Sequence, residues 1–392
     1  MRPGDARYQP WIVAAASKLG LSTYLLNWSL AGMQSSIKLA SHFRFLSELV
    51  LSPSATAGRA AESARSMSPE DFDALTTLAA KNHVIVRALT RWKELLTHEN
   101  DWKVAAIDTA LQNENARIGR ALSFLHDICA TLEQSGCPVT VIKSLDHWPD
   151  LGSDLDLYSD ADPDKVVQAM CNQLHAEVDA RSWGDRLANK WNFVVPGLSE
   201  LVEIHIGRLG QTGEQTALTE SLLTGARAVE IGSHSYRVLA PEHRIIISTL
   251  QRMYRHFYIR LCDIVDNACL IDSQLVDLDS LHVLGRAAGI WEGIATYLAI
   301  ISGFAESYRG YGLSLPALVT GTARFDVDQV RFGRDFLRVP ILPHSLNLYA
   351  AELRTMVFRG QVRNSLRLSL LPGLATAAAL EMKLTGSDKG IW

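Results

Sequence analysis

The chain has 392 residues, 47% of them apolar and 20% charged, so it can bury large cores and is not disordered throughout. Lys and Arg total 38 against 42 Asp and Glu, a net charge of −4 that excludes nucleic-acid binding by bulk positive charge. Five cysteines, odd in number, irregularly spaced and without a CxxC pair, argue against a disulfide framework and against a structural zinc site.

The opening MRPGDARYQP lacks the compact apolar core of a signal peptide. Residues 11–33 lean apolar but carry Lys18, Asn27 and several serines. They read as helix rather than as a membrane span, which needs about 20 apolar residues. A soluble, cytoplasmic protein is the expectation. Residues 1–115 are rich in helix formers and poor in period-two alternation, so a helical N-terminal region is expected there. Within it, 52–68 is small and polar, a loop or weak helix, and Ser68 before Pro69, Glu70 and Asp71 supplies a capped helix start.

From Ala121 to Leu132 the apolar positions recur at helical spacing, and Gly136 is a natural stop. CPVTVI, 137–142, reads as a short strand, KSLDHWPDLGS as a turn region, and DLDLY, 154–158, as a strand with one wet face. Asp162-Pro163 opens a helix. KWNFVV, 190–195, and LVEIHI, 201–206, are further strands separated by Pro196-Gly197. After about residue 240 the pattern returns to helices and stays helical to the C-terminus. The expected fold is α+β: a small mixed-sheet core over 116–240, flanked by a helical N-terminal region, 1–115, and a helical C-terminal domain, 241–392.

In a strand, residues i and i+2 share a face, so Asp154 and Asp156 project together while Leu155 and Leu157 point to the core. Two carboxylates this close repel, and a shared proton or a shared cation relieves them. Magnesium suits such a site because it takes oxygen ligands, keeps waters and bridges to phosphates. Residues 142–165 carry seven Asp against two Lys, which fits a cation site. A third acid, Glu203, stands in an otherwise apolar strand, where a charge is costly unless paired or metal-bound. An isolated DxD is commonplace, and Glu203 with His205 could equally form the wet face of a half-exposed strand.

Ile142-Lys143-Ser144, Trp148-Pro149, Ser153-Asp154-Leu155-Asp156-Leu157 and Val202-Glu203-Ile204-His205 occur in that order. Together they resemble the motifs of the DNA polymerase beta-like nucleotidyltransferase superfamily, and more closely the bacterial "uncharacterised nucleotidyltransferase" family. The resemblance covers roughly residues 120–270, with Ser144 standing where that family usually has glycine. It implies transfer of an NMP group from an NTP, ATP foremost, to a hydroxyl or phosphate, with pyrophosphate leaving. Asp154 and Asp156 would ligate two Mg²⁺ (or Mn²⁺) ions, and Glu203 would ligate the acceptor-side ion or take the acceptor's proton. Ser144 and neighbouring backbone N–H groups would cradle the β- and γ-phosphates, Lys143 would neutralise phosphate charge, and Ser153 would shape the site.

Residues 243–260 hold four Arg, two His and no acid. On a helix Arg252, Arg255 and His256 share a face and could hold the triphosphate. The match to the family's helix, Arg260-Leu261-Cys262-Asp263, is loose, with Asp263 orienting an arginine or forming a packing ion pair. One of Arg181, Arg186 and Lys190 could also reach phosphate. The run 324–367, with eight Arg against four acids and interleaved aromatics, could bind an anionic acceptor or form an amphipathic surface. No GxxxxGK[ST], GxGxxG, HExxH or GxSxG occurs, which removes support for P-loop, Rossmann, zincin and hydrolase-elbow chemistry. The near-neutral charge points to a small molecule, peptide or protein as acceptor rather than long nucleic acid. Two other readings stay open: a DxD glycosyltransferase, and a non-catalytic nucleotidyltransferase-like scaffold or toxin–antitoxin component.

Overall fold

The computed structural model describes residues 23–52, 62–63, 65–96 and 102–385. The expectations for 1–22 and for most of 53–64 lie outside the described residues. The fold is α+β, a seven-stranded mixed sheet flanked by helices.

Helix α1 (Thr23–Leu51) is followed by α2 (Pro69–Lys81), whose first turn is capped as its sequence requires: Ser68 accepts from the Asp71 amide at 3.2 Å. Next come α3 (Ile85–Leu95) and the 33-residue α4 (Trp102–Gln134). Helix α4 runs without a break through residue 115, so it joins the N-terminal region to the sheet. Gly136 at φ 71° turns the chain into β1 (Val139–Val141). A single 3₁₀ turn, Ser144–His147, leads to β2 (Asp154–Ser159). Helix α5 (Pro163–Gln173) starts at the Asp162 cap. The sheet continues with β3 (Glu177–Val178), β4 (Lys190–Val194), β5 (Leu201–Ile206), β6 (Arg227–Ile231) and β7 (His234–Val238).

The strand order is β3-β4-β5-β2-β1-β7-β6. At its centre β2 runs parallel to β5 and antiparallel to β1. The β6–β7 hairpin turns on Gly232 at φ 62° and Ser233, a two-residue turn signal the pattern reading passed over. One sheet face is apolar: Leu155, Leu157, Val202 and Ile204 pack with Ile128 and Leu132 of α4 and Val166 of α5. The other face carries Asp154, Asp156 and Glu203, and its Tyr158 belongs to a second core. That core merges Leu46, Leu75 and Trp92 of the N-terminal helices with Ile246, Ile294 and Ile300 of the C-terminal ones, so the two helical regions share one interior.

Past residue 240 come α6 (Pro241–Thr249), a π-helical segment Leu250–Arg255, α7 (Leu261–Asp272) and the buried α8 (Trp291–Arg309). The expectation of helix alone after 240 is corrected here. A second, three-stranded sheet pairs β8 (Tyr258–Ile259) with β10 (Phe336–Arg338), and β10 with β9 (Arg331–Gly333). These strands are two or three residues long, too short to show an alternation of their own. Among the described residues, no helix is long and apolar enough to cross a membrane.

Candidate active site

Strand register assembles the acidic centre. Parallel pairing sets Asp156 opposite Glu203, and antiparallel pairing sets Asn192 opposite Glu203 and Lys190 opposite His205. Side chains at matched positions of neighbouring strands share a face. The acids that the alternation of DLDLY and LVEIHI placed on the wet side therefore converge. Ligand atoms of Asp156, Glu203 and His205 all lie within 4.8 Å of one another. Asp154 stands one step nearer the strand's start on the same face, its Oδ2 accepting from the Ser153 hydroxyl at 3.3 Å.

The turn after β1 is strained. Lys143 has φ 66° and ψ −53°, and the Ser144 amide donates to the Ile142 carbonyl at 2.7 Å, closing a γ-turn. Such a conformation in a non-glycine residue costs on the order of 1–3 kcal/mol and persists only where its surroundings impose it. Here it folds Lys143 back over the sheet, so that Nζ contacts the Asp156 carboxylate. Ser144, 3% exposed, accepts from the Asp156 amide at 2.7 Å and donates to the Asp154 carbonyl at 3.3 Å. Its hydroxyl thus braces the strand that carries both aspartates. The turn region expected after β1 contains one four-residue 3₁₀ turn.

Of the three basic candidates Arg181, Arg186 and Lys190, Lys190, the first residue of β4, reaches the centre. Its Nζ lies 3.0 Å from both Glu203 Oε1 and Asp185 Oδ1. Arg181 instead stacks over the Trp191 ring at 4.0 Å and donates to the Lys190 carbonyl.

Across from the acids the chain passes through the π-helical segment, a widened turn common at functional sites. Gln251, Arg252, Arg255 and His256 all face the cleft, an i, i+4 pairing that this turn preserves. Arg252 is buried and its Nε lies 2.7 Å from Asp263 Oδ2, so Asp263 orients that arginine. Arg255 has no ion-pair partner among the described residues. Tyr258 and Arg260 complete the wall, and Tyr258 stacks on Phe336 at 4.4 Å. The two walls enclose a cavity of about 170 Å³ that opens to solvent. A narrower, largely apolar pocket opens beside it, lined by Leu209, Ile247, Leu250 and Tyr254, and shares Lys143, Gln251 and Arg255 with the cleft.

Burial sets the proton affinities. It pushes the Asp156 carboxyl up to about 7, against the pull of Lys143 and with added repulsion from Glu203. Burial and Glu203 also raise Asp154. Glu203 is likewise buried, but Lys190 and Lys143 outweigh that and hold it at about 2. Burial, with Lys143 and Lys190, holds the His205 imidazole well below its ordinary value, hence neutral. Both of its ring nitrogens are buried and without a hydrogen-bond partner. A neutral imidazole beside two carboxylates is a donor set that fits a divalent cation.

Of the residues singled out from the sequence, Lys143, Ser144, Ser153, Asp154, Asp156, Glu203, Arg252 and Arg255 line this one cleft, whereas Arg181 and Arg186 do not. His83 and His147 line it too and were not foreseen. Each is separated from the acidic motifs by turns or by long stretches of chain, and no spacing rule connects them. No protein-family model matches the chain, and no curated protein matches it.

Proposed function

We propose that the protein is a Mg²⁺-dependent nucleotidyltransferase of the cytoplasm, transferring NMP from an NTP to a hydroxyl or phosphate of a small molecule, peptide or protein. One observation carries the reading: Asp156 and Glu203 sit in register on adjacent parallel strands, Asp154 beside them, facing a cleft whose opposite wall is Arg252 and Arg255. Asp154, Asp156 and Glu203 would hold Mg²⁺, with His205 as a further donor. The bound cation would supply charge neutralisation of the phosphates and of the departing pyrophosphate. Arg255, Arg252 and Lys143 would bind the triphosphate. In this reading Lys143 leaves Asp156 for phosphate, and the strained turn positions it for that move. Glu203, ionised at neutral pH, would ligate the acceptor-side ion, and the adjoining apolar pocket would admit the acceptor.

The test is calorimetry of the four NTPs with and without Mg²⁺, on the wild type and on Asp154→Asn/Asp156→Asn. Metal-dependent binding of an NTP that the double variant loses supports the proposal. A well-folded wild type that binds none of the four sinks it. A specific contact favours a second reading, a non-catalytic scaffold: Lys143 on Asp156 and Lys190 on Glu203 already neutralise two of the three acids. NTP binding indifferent to Mg²⁺ would select that reading.

A further inference from the structure

Beside the same cleft, three soft or borderline donors meet. His83 follows the last turn of α2, His147 ends the 3₁₀ turn, and Cys262 lies in the first turn of α7. Their ligand atoms lie within 4.8 Å of one another, and Cys262 Sγ is 3.8 Å from His147 Nε2. Tetrahedral zinc with bonds of about 2.0–2.1 Å to nitrogen and 2.3 Å to sulfur sets such donors about 3.5 Å apart. The sulfur–nitrogen pair at 3.8 Å is within a few tenths of an ångström of that, and the other pairs lie within 4.8 Å.

The surroundings hold the three donors in place. Asn82 binds the start of α7 twice: its side-chain oxygen accepts from the Leu261 amide at 3.1 Å and its carbonyl from the Cys262 amide at 3.2 Å. That clamp fixes His83, the next residue, against Cys262. Asp266 Oδ2 lies 2.5 Å from His147 Nδ1, leaving Nε2 directed at the sulfur. A carboxylate on the far nitrogen of a ligating histidine is the usual outer partner of zinc sites. Burial raises the Cys262 thiol above its ordinary value, against the pull of His147. The nearby guanidinium groups of Arg87 and Arg252 are each matched by carboxylates, Asp150 with Asp266, and Asp263. Arg260 Nη1 approaches His83 Nδ1 at 3.4 Å, long for a hydrogen bond, and is the one cation a metal would displace.

We propose that His83, His147 and Cys262 form a His₂Cys site for Zn²⁺, with Asp266 as the positioning residue and the fourth coordination position open to the cleft. His83 and His147 line the cleft while Cys262 lies beneath them, so an oxygen ligand, water or a substrate hydroxyl or phosphate, completes the shell from the solvent side. The site is separate from the acidic centre and does not depend on how that centre works.

The experiment uses tag-free, full-length protein. Zinc content is measured by mass spectrometry, and the zinc is then exchanged for Co²⁺, whose thiolate charge-transfer band reports the Cys262 bond. The expected result is about one equivalent of zinc per chain and a thiolate–cobalt band. Cys262→Ser should abolish the band, His83→Ala should weaken binding at least tenfold, and Asp266→Asn should weaken it about 10–100-fold. Asp154→Asn/Asp156→Asn should leave zinc uptake unchanged, which separates this site from the acidic centre. A folded wild type that takes up neither Zn²⁺ nor Co²⁺ overturns the proposal. So does a Co²⁺ complex without the thiolate band, or one lost in Asp154→Asn/Asp156→Asn and kept in His83→Ala. Circular dichroism of each variant establishes that it folds, and His83→Ala, at a half-buried position, carries the test if Cys262→Ser does not.

Discussion

Replacing Asp156 by asparagine keeps the shape of the side chain and removes its titration. In the folded protein, burial has pushed that carboxyl from 3.8 to about 7. The unfolded chain releases the proton near pH 4, so between about pH 4 and 7 the folded state holds one proton more. A raised folded-state value gives stability that is complete below the unfolded value and is lost as pH rises through 7. From pH 5 to pH 7, where the folded carboxyl becomes half released, the loss is on the order of 2 kcal/mol. Asp156→Asn does not carry this loss. Lys143 forfeits its ion-pair partner in the variant, so the measurement compares how the difference between the two proteins changes with pH, not its absolute size. Urea unfolding followed by tryptophan fluorescence, in EDTA at pH 5, 6, 7 and 8, measures the difference. The variant should gain on the wild type by about 2 kcal/mol between pH 5 and 7 and then level off. Parallel stability curves across that range would refute the claim that Asp156 is held protonated by its burial.

Arg87 donates to Asp150 at 2.7 Å, to Asp266 at 2.6 Å and to the His147 carbonyl at 2.8 Å, with both acids nearly inaccessible. Arg87→Ala strands two buried carboxylates and should cost about 3–5 kcal/mol by chemical denaturation; a loss below about 1 kcal/mol would place the network in the class of surface ion pairs. Ser144→Ala removes the partner of the Asp156 amide and should cost about 1–3 kcal/mol while weakening Mg²⁺-dependent NTP binding. An unchanged midpoint together with unchanged binding would mean that the hydroxyl does not brace β2.

How much of this was legible beforehand can be argued strand by strand. The alternation in DLDLY and LVEIHI placed Asp154, Asp156 and Glu203 on a polar face, because side-chain direction in a strand follows from period two alone. The helix starts at Ser68-Pro69 and Asp162-Pro163 were equally plain, since a cap is a local hydrogen bond between a side chain and the next turn. The β6–β7 hairpin had a signal in Gly232-Ser233 that the reading missed. Strand β8 had none, because it exists only by pairing with β10, where Ile259 meets Leu337, 78 positions further along the chain, and β9 and β10 form a local hairpin too short to show alternation.

The tertiary structure decided what stands opposite what. Strand order β5-β2-β1 puts Glu203 against Asp156, although 47 positions separate them in the chain. The γ-turn at Lys143 decided that its ammonium covers Asp156, and burial decided which acid keeps its proton. Cysteine spacing registers only groups close in sequence, whereas His83, His147 and Cys262 are brought together by the packing of α2 and α7 around the turn between β1 and β2. Local chemistry is written in neighbouring residues. Contacts across the core depend on how whole elements pack, and that is a property of the folded chain.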